Sequence, residues 1–134
     1  MRQINDHKVN PANDTLTIEV LDEPGSGGAC HHYSIVGFDT DSNPSATNEA
    51  GYKSSFSRMP VIFQNGPIGE VGVNGITQEV LLAILIDRLQ HFQKGPYSCR
   101  ENAIALTKLE EAQMRLLQRT RGRVSRGVEG THKV

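Results

Sequence analysis

At 134 residues the chain is long enough for one cored domain and short of two independent ones, so residues 1–134 are read as a single domain. A mean hydropathy of −0.42 with 37% hydrophobic residues leaves little apolar material for a large monomeric core, so subunits that share a core are expected. The net charge of −1 is unevenly divided: residues 1–75 carry four Lys or Arg against nine Asp or Glu, and residues 76–134 carry ten against six.

The N-terminal stretch MRQINDHKV lacks an apolar run for a signal peptidase, and Cys30 and Cys99 stand far apart without a CxxC pair. Free thiols in a cytoplasm are the expectation. From Thr15 to Val20, TLTIEV alternates, placing Leu16, Ile18 and Val20 on one face of a half-buried strand. EPGSGG at 23–28 is a turn, and HHYSIVGF at 31–38 is the returning strand of a hairpin. Residues 39–58, rich in Ser, Asn, Asp and Gly, form a long loop. VIF after Pro60 fits a third strand, QNGP supplies a turn, and EVGV leads to an Asn74-Gly75 turn before the first helix. Residues 1–75 are thus expected to be a small antiparallel sheet.

The period then changes. Thr77 or Asn74 caps a helix whose apolar residues Val80, Leu81, Ile84, Leu85, Leu89 and Phe92 follow i, i+3, i+4 spacing, with Leu82 and Ile86 on a second apolar face. The aliphatic run from Val80 to Ile86 is far below the roughly 20 residues that span a bilayer. Lys94-Gly95-Pro96 ends the helix, with Gly95 suited to a left-handed position. Ser98 and Glu101 make an S-x-x-E capping box for a second helix that runs to about Arg121, where Gly122 weakens it.

So tight a connection makes the two helices antiparallel. Residues at equal height then pair Leu85 with Leu109, Leu89 with Ala105, and Phe92 with Asn102. The deep pairs are apolar and the outermost sets an aromatic ring beside a carboxamide. A ring face can stack on a base, and a carboxamide can donate to and accept from the edge of adenine. Arg88, Arg100, Arg119 and Arg123 can offer forked bonds to phosphate. The same residues also serve as a core cap, a helix-start residue and solvated cations, and residue type alone leaves both readings open.

Other residue clusters suggest other chemistries. Cys30-His31-His32 with Cys99 could suggest a zinc or Cys/His site, but adjacent strand residues point to opposite faces and no spacing completes a ligand set. Asp39 and Asp41 lie in DTDSN, which more often caps a loop. The basic run Arg115, Arg119, Arg121, Arg123, Arg126 and Lys133, against Glu129, fits RNA or DNA binding, or equally a helix end whose cations complement its dipole. A hairpin that docks a partner protein is a further alternative.

FQNGPIGEVGVNGIT at 63–77, IDRLQHFQKGPYSCRENAIALTKLEEAQ at 86–113 and RGVEGT at 126–131 resemble the phage Thoeris anti-defence proteins of the first type, whose hairpin is shared with phage sponges that counter CBASS. The resemblance covers about half the chain and implies an α+β fold with the N-terminal sheet followed by the helical hairpin. It implies a protein without catalytic residues, metal or cofactor, which binds and sequesters the cyclic ADP-ribose isomers made by TIR-domain proteins. Some members also hold cyclic dinucleotides and trinucleotides at separate sites. The family's stacking aromatic falls on Phe92, its early helical asparagine on Asn102, and a basic residue late in the helix most naturally on Arg119. Arg58 and the loop before it match no family pattern. Enclosing a nucleotide needs more surface than one convex hairpin tip, so an interfacial site in a homodimer is expected, with hexamers as the family assembly and the host cytoplasm as the location.

Overall fold

A computed structural model describes residues 1–46 and 55–131. The chain divides into two compact units, Met1–Asn65 and Gly66–Val134. The expected α+β fold is observed, with an antiparallel sheet in the first unit and helices in the second. No helix among the described residues is long and apolar enough to cross a membrane.

The first unit is a four-stranded meander in the order β1 (Arg2–Ile4), β2 (Thr17–Val20), β3 (His32–Val36) and β4 (Arg58–Ile62), every neighbour antiparallel. Its register aligns Ile4, Ile18, Ile35 and Met59 across the sheet, and Arg2, Val20, Tyr33 and Val61 beside them. Directly paired residues share a face. The apolar face therefore holds Val20 and Val61, the buried apolar side chains among the described residues of this unit, with Tyr33 edge-on to Phe63 at 5.7 Å. Glu19 and Ser34 lie on the other face, where Arg58 donates from Nη1 to Ser34 Oγ at 2.7 Å and approaches Glu19 Oε1 at 3.5 Å.

The alternation read in TLTIEV is thus present, but three features were not foreseen. The N-terminal β1 and the one-turn helix α1 (Pro11–Asp14) lie outside the elements expected from the sequence, although Asn10 Oδ1 accepts the Asn13 amide at 2.8 Å with proline behind it, a recognisable start. The last strand begins at Arg58 and not at Val61, so Arg58 leaves the expected 39–58 loop and joins the sheet. Residues 47–54 of that loop lie outside the described residues; at its base, the Thr40 amide donates to Phe56 O at 3.0 Å and the Phe56 amide to Thr40 Oγ1 at 2.8 Å. Asp39 accepts the Asp41 amide at 2.8 Å, as a loop-capping aspartate does.

In the second unit, α2 (Ile68–Val71) is a single helical turn between the expected QNGP and Asn74-Gly75 turns, so the expected sheet does not extend through residue 75. The hairpin helices are α3 (Gln78–Lys94) and α4 (Arg100–Ser125). Thr77 caps α3 as expected, its Oγ1 accepting the Val80 amide at 3.3 Å. The other ends differ from expectation. Gly95 is extended, at φ −114°, because its amide returns to Phe92 O without a left-handed turn. The residue that caps α4 is Cys99, whose Sγ accepts the Asn102 amide at 3.4 Å, so the Ser98–Glu101 box is shifted by one residue. The helix also passes through Gly122. It stops where Gly127, at φ 69°, lets its own amide reach Val124 O and the Val128 amide reach Arg123 O, a Schellman closure.

The seam is corrected as well. Leu82, Ile86 and Leu89 on α3, and Leu106, Leu109 and Leu116 on α4, are half-buried, whereas Leu85 is 45% exposed and Ala105 is exposed. The half-buried rows keep the 3-4 spacing of two helices wound together. Leu82 and Ile86, read as lying off the stripe, are on it. Gln113 donates across the seam from Nε2 to Glu79 O at 3.1 Å.

Candidate functional site

The end of α3 and the turn after it surround a concavity of about 530 Å³, lined by Ile84, Arg88, His91, Phe92 and Tyr97 among others. Its shape follows from the local sequence. Ile84, Arg88 and Phe92 lie one turn apart on α3, and Gly95-Pro96 turns the chain so that Tyr97 joins the same hollow. The Arg88 guanidinium carbon stands 4.9 Å from the Phe92 ring centroid, over its face. His91 Nδ1 lies 2.8 Å from Asp87 O and 3.7 Å from Asp87 Oδ1. Tyr97 is 75% exposed and Ile84 59%, so apolar and aromatic surface stands open beside a cation.

The turn is fixed by a residue the sequence reading passed over. Gln93 accepts the Cys99 amide on Oε1 and donates from Nε2 to Cys99 O, both at 3.2 Å, which ties the last turn of α3 to the first residue before α4.

Of the six sequence-read residues, Arg88 and Phe92 line this concavity. Asn102 is half-buried in the first turn of α4 and is not among its lining residues. Arg100 belongs to a second hollow of about 350 Å³ on α4, with Ala103, Ile104, Thr107 and Lys108. Arg119 is exposed and lies about 25 Å farther along α4 than Asn102, at 1.5 Å per residue.

Arg123 is placed differently from a ligand-facing cation. It is 8% exposed, donates from Nε to Glu129 Oε2 at 3.1 Å, and from Nη2 to Val128 O at 2.9 Å and Thr131 O at 3.2 Å. It thereby holds the 126–131 tail, whose Gly130 O accepts the Gly69 amide at 3.1 Å. A Cβ on Gly130 would stand 2.8 Å from Ile68 Cγ1, so glycine is required for that approach. The strings NGPIGEVG and RGVEGT, distant in sequence, meet at this point.

In the sheet unit, Asp22 takes the amides of His31, at 2.9 and 3.1 Å, and His32, at 3.1 Å. The His31 amide is the main reason its carboxyl is held below the usual aspartate value. Residues 30–32 therefore close a loop around Asp22.

The comparison with known proteins bears on the helical region. Residues 59–121 match the family model described as the Acb2/Tad1 hairpin domain. Over these residues, a little under half of the chain, the protein is similar to that family. A second finding agrees: the chain is 58% identical over 73 residues to the protein named Thoeris anti-defense 1 of Bacillus phage SBSphiJ7, a match covering 54% of this chain and 51% of that protein. The chain spans about half the length of the curated relative it matches. The resemblance read from the three strings is borne out. The hairpin domain contains Arg88, Phe92, Tyr97, Asn102 and Arg119, whereas Arg123 lies beyond its matched end. Tyr97, His91 and Ile84 were missed as lining residues, since only the turn at Gly95-Pro96 brings the tyrosine beside the helix.

Proposed function

We propose that this protein is a phage anti-defence sponge: it binds a cyclic ADP-ribose isomer made by TIR-domain Thoeris proteins in the host cytoplasm and withholds it from its effector without degrading it. The observation that carries this reading is the cation placed over an aromatic ring in an open concavity within the Acb2/Tad1 hairpin domain. Aromatic faces bind bases and guanidinium forks bind phosphates, and a dinucleotide-like ligand presents both.

The assembly is a homodimer that completes the site, extending to a hexamer. In support, no apolar residue of α3 or α4 is fully buried, and Val80, Ile84, Leu85, Ile104, Met114 and Leu117 are all at least 37% exposed. A helix pair with this much apolar surface in water is a half-built core. Light scattering should give a dimer or larger at binding concentrations; a monomer would refute the shared site.

Calorimetric titration against a panel of cyclic ADP-ribose isomers, cyclic dinucleotides and cyclic trinucleotides tests the ligand. Saturable binding at a fixed ratio to subunits, with intact ligand recovered after heating, is expected for a cyclic ADP-ribose isomer. Preference for long RNA or DNA with steep salt dependence would favour the nucleic-acid reading instead. Arg123 counts against that rival, because one cation of the basic run is buried on Glu129 and tail carbonyls.

A further inference from the structure

Arg88 carries a charge that no carboxylate pairs with among the described residues; its side chain rests on Phe92 instead. The neighbouring Asp87 carboxylate is turned to His91. A guanidinium and a flat base approach the same π face at comparable height, so the two compete for one place. The ring face on the Arg88 side of the concavity is therefore already occupied, by a group that itself binds phosphate.

We propose that Arg88 is a placeholder exchanged on binding: a nucleobase entering the concavity displaces the guanidinium from Phe92, and the freed fork turns to a phosphate of the same ligand. This rests on the reading that Phe92 stacks a nucleotide base. The exchange makes the site selective for ligands that carry base and phosphate together. A nucleoside must remove the cation and gives it no new partner, whereas a nucleotide repairs the loss with charge-assisted bonds. In the free protein the cation shields the ring from water and from apolar contacts.

The test uses the full chain and two probes, adenosine and ADP-ribose, titrated into the wild type and Arg88→Ala while the Phe92 ring protons are followed by NMR. Arg88 is exposed on a helix and alanine is a strong helix former, so the variant should fold, which circular dichroism checks. Arg88→Ala is expected to bind adenosine about two- to fivefold more tightly, the strength of an exposed cation–π contact. It should bind ADP-ribose about two- to seventyfold more weakly, the loss of a charge-assisted bond offset in part by the cation–π contact that no longer has to be broken. Adenosine affinity that does not rise, no adenosine binding by either protein, or ADP-ribose affinity that does not fall would overturn the exchange. Phe92→Ala separates this from the underlying reading. If it leaves affinity for a cyclic ADP-ribose isomer unchanged, the nucleotide pocket itself fails; if that affinity is lost while adenosine is indifferent to Arg88, the exchange alone fails.

Discussion

Gln93 closes the hairpin turn through the backbone of Cys99, accepting its amide and donating to its carbonyl with both bonds at 3.2 Å. The pair acts as a strand-like bridge made by one side chain, and it spans the turn that carries Tyr97. Gln93→Leu keeps the bulk and removes both bonds, so it should destabilise the hairpin by about 1–2 kcal/mol, since the bonds are exposed and each is worth roughly 0.5–1.5. Urea denaturation followed by circular dichroism measures this. Weaker nucleotide binding should accompany it if Tyr97 is part of the site.

Cys99 caps α4 with a thiol, a weak acceptor, at 3.4 Å. Serine accepts better at that position, so Cys99→Ser should stabilise the chain by about 0.5–1 kcal/mol, seen as a higher Tm. Ser98→Ala should cost little, because Ser98 is not the cap.

These two residues also show what the sequence conceals. S-x-x-E announces a capping box, but the helix begins one residue later because Gln93 holds Cys99 extended and leaves it to be the cap. Similarly, Val80, Ile84 and Leu85 match the helical period as well as Leu82, Ile86 and Leu89 do, and a helix apolar on two faces does not say which face its neighbour takes. The strings around Phe92 and Arg88 were legible because i, i+4 spacing places them on one helix face. Tyr97 was not, as its position depends on the turn. Arg123 was misplaced for another reason: an arginine in a basic run looks solvated, and its partners Glu129, Val128 and Thr131 come into reach only after Gly127 reverses the chain.

Arg123→Ala removes a buried cation's bonds to Glu129 and two carbonyls. Loss of a fully buried ion-pair partner costs about 3–5 kcal/mol. Glu129 is 36% exposed on its side chain, which lowers the expectation to about 2–3 kcal/mol. Hydrogen exchange should show the change at the amides of Gly69, Val128 and Thr131, which bond within this latch. Glu129→Gln should cost less, because the carbonyl bonds survive.

Asp22 should make the sheet unit acid-sensitive. Its folded pKa is depressed, chiefly by the His31 amide, so the unfolded chain binds more protons at pH values between the folded and unfolded pKa. Its contribution is fully present above the unfolded value of about 3.9 and is lost as pH falls through the lower folded value. Acid titration monitored at the His31 and His32 amides should show opening in that window. Asp22→Asn should remove this pH dependence and weaken the loop at neutral pH.

Arg119 offers the sharpest test of a site shared between subunits. It stands about 25 Å along α4 from Asn102 at the hairpin tip, too far to act with Phe92 of its own chain through one small ligand. If Arg119 and Phe92 serve one ligand, they come from different subunits. Phe92→Ala and Arg119→Ala should each abolish tight binding alone, with stacking worth about 1–3 kcal/mol for the first. When the two variants are refolded together, each mixed dimer has one site with both changes and one site with neither. Random pairing makes half the dimers mixed, so about a quarter of all sites should recover wild-type affinity. Calorimetric stoichiometry measures that fraction directly. Recovery near zero would place Phe92 and Arg119 in the same subunit's site, and tight binding by Arg119→Ala alone would place Arg119 outside any site; in either case the pocket shared by these two residues would have to be abandoned.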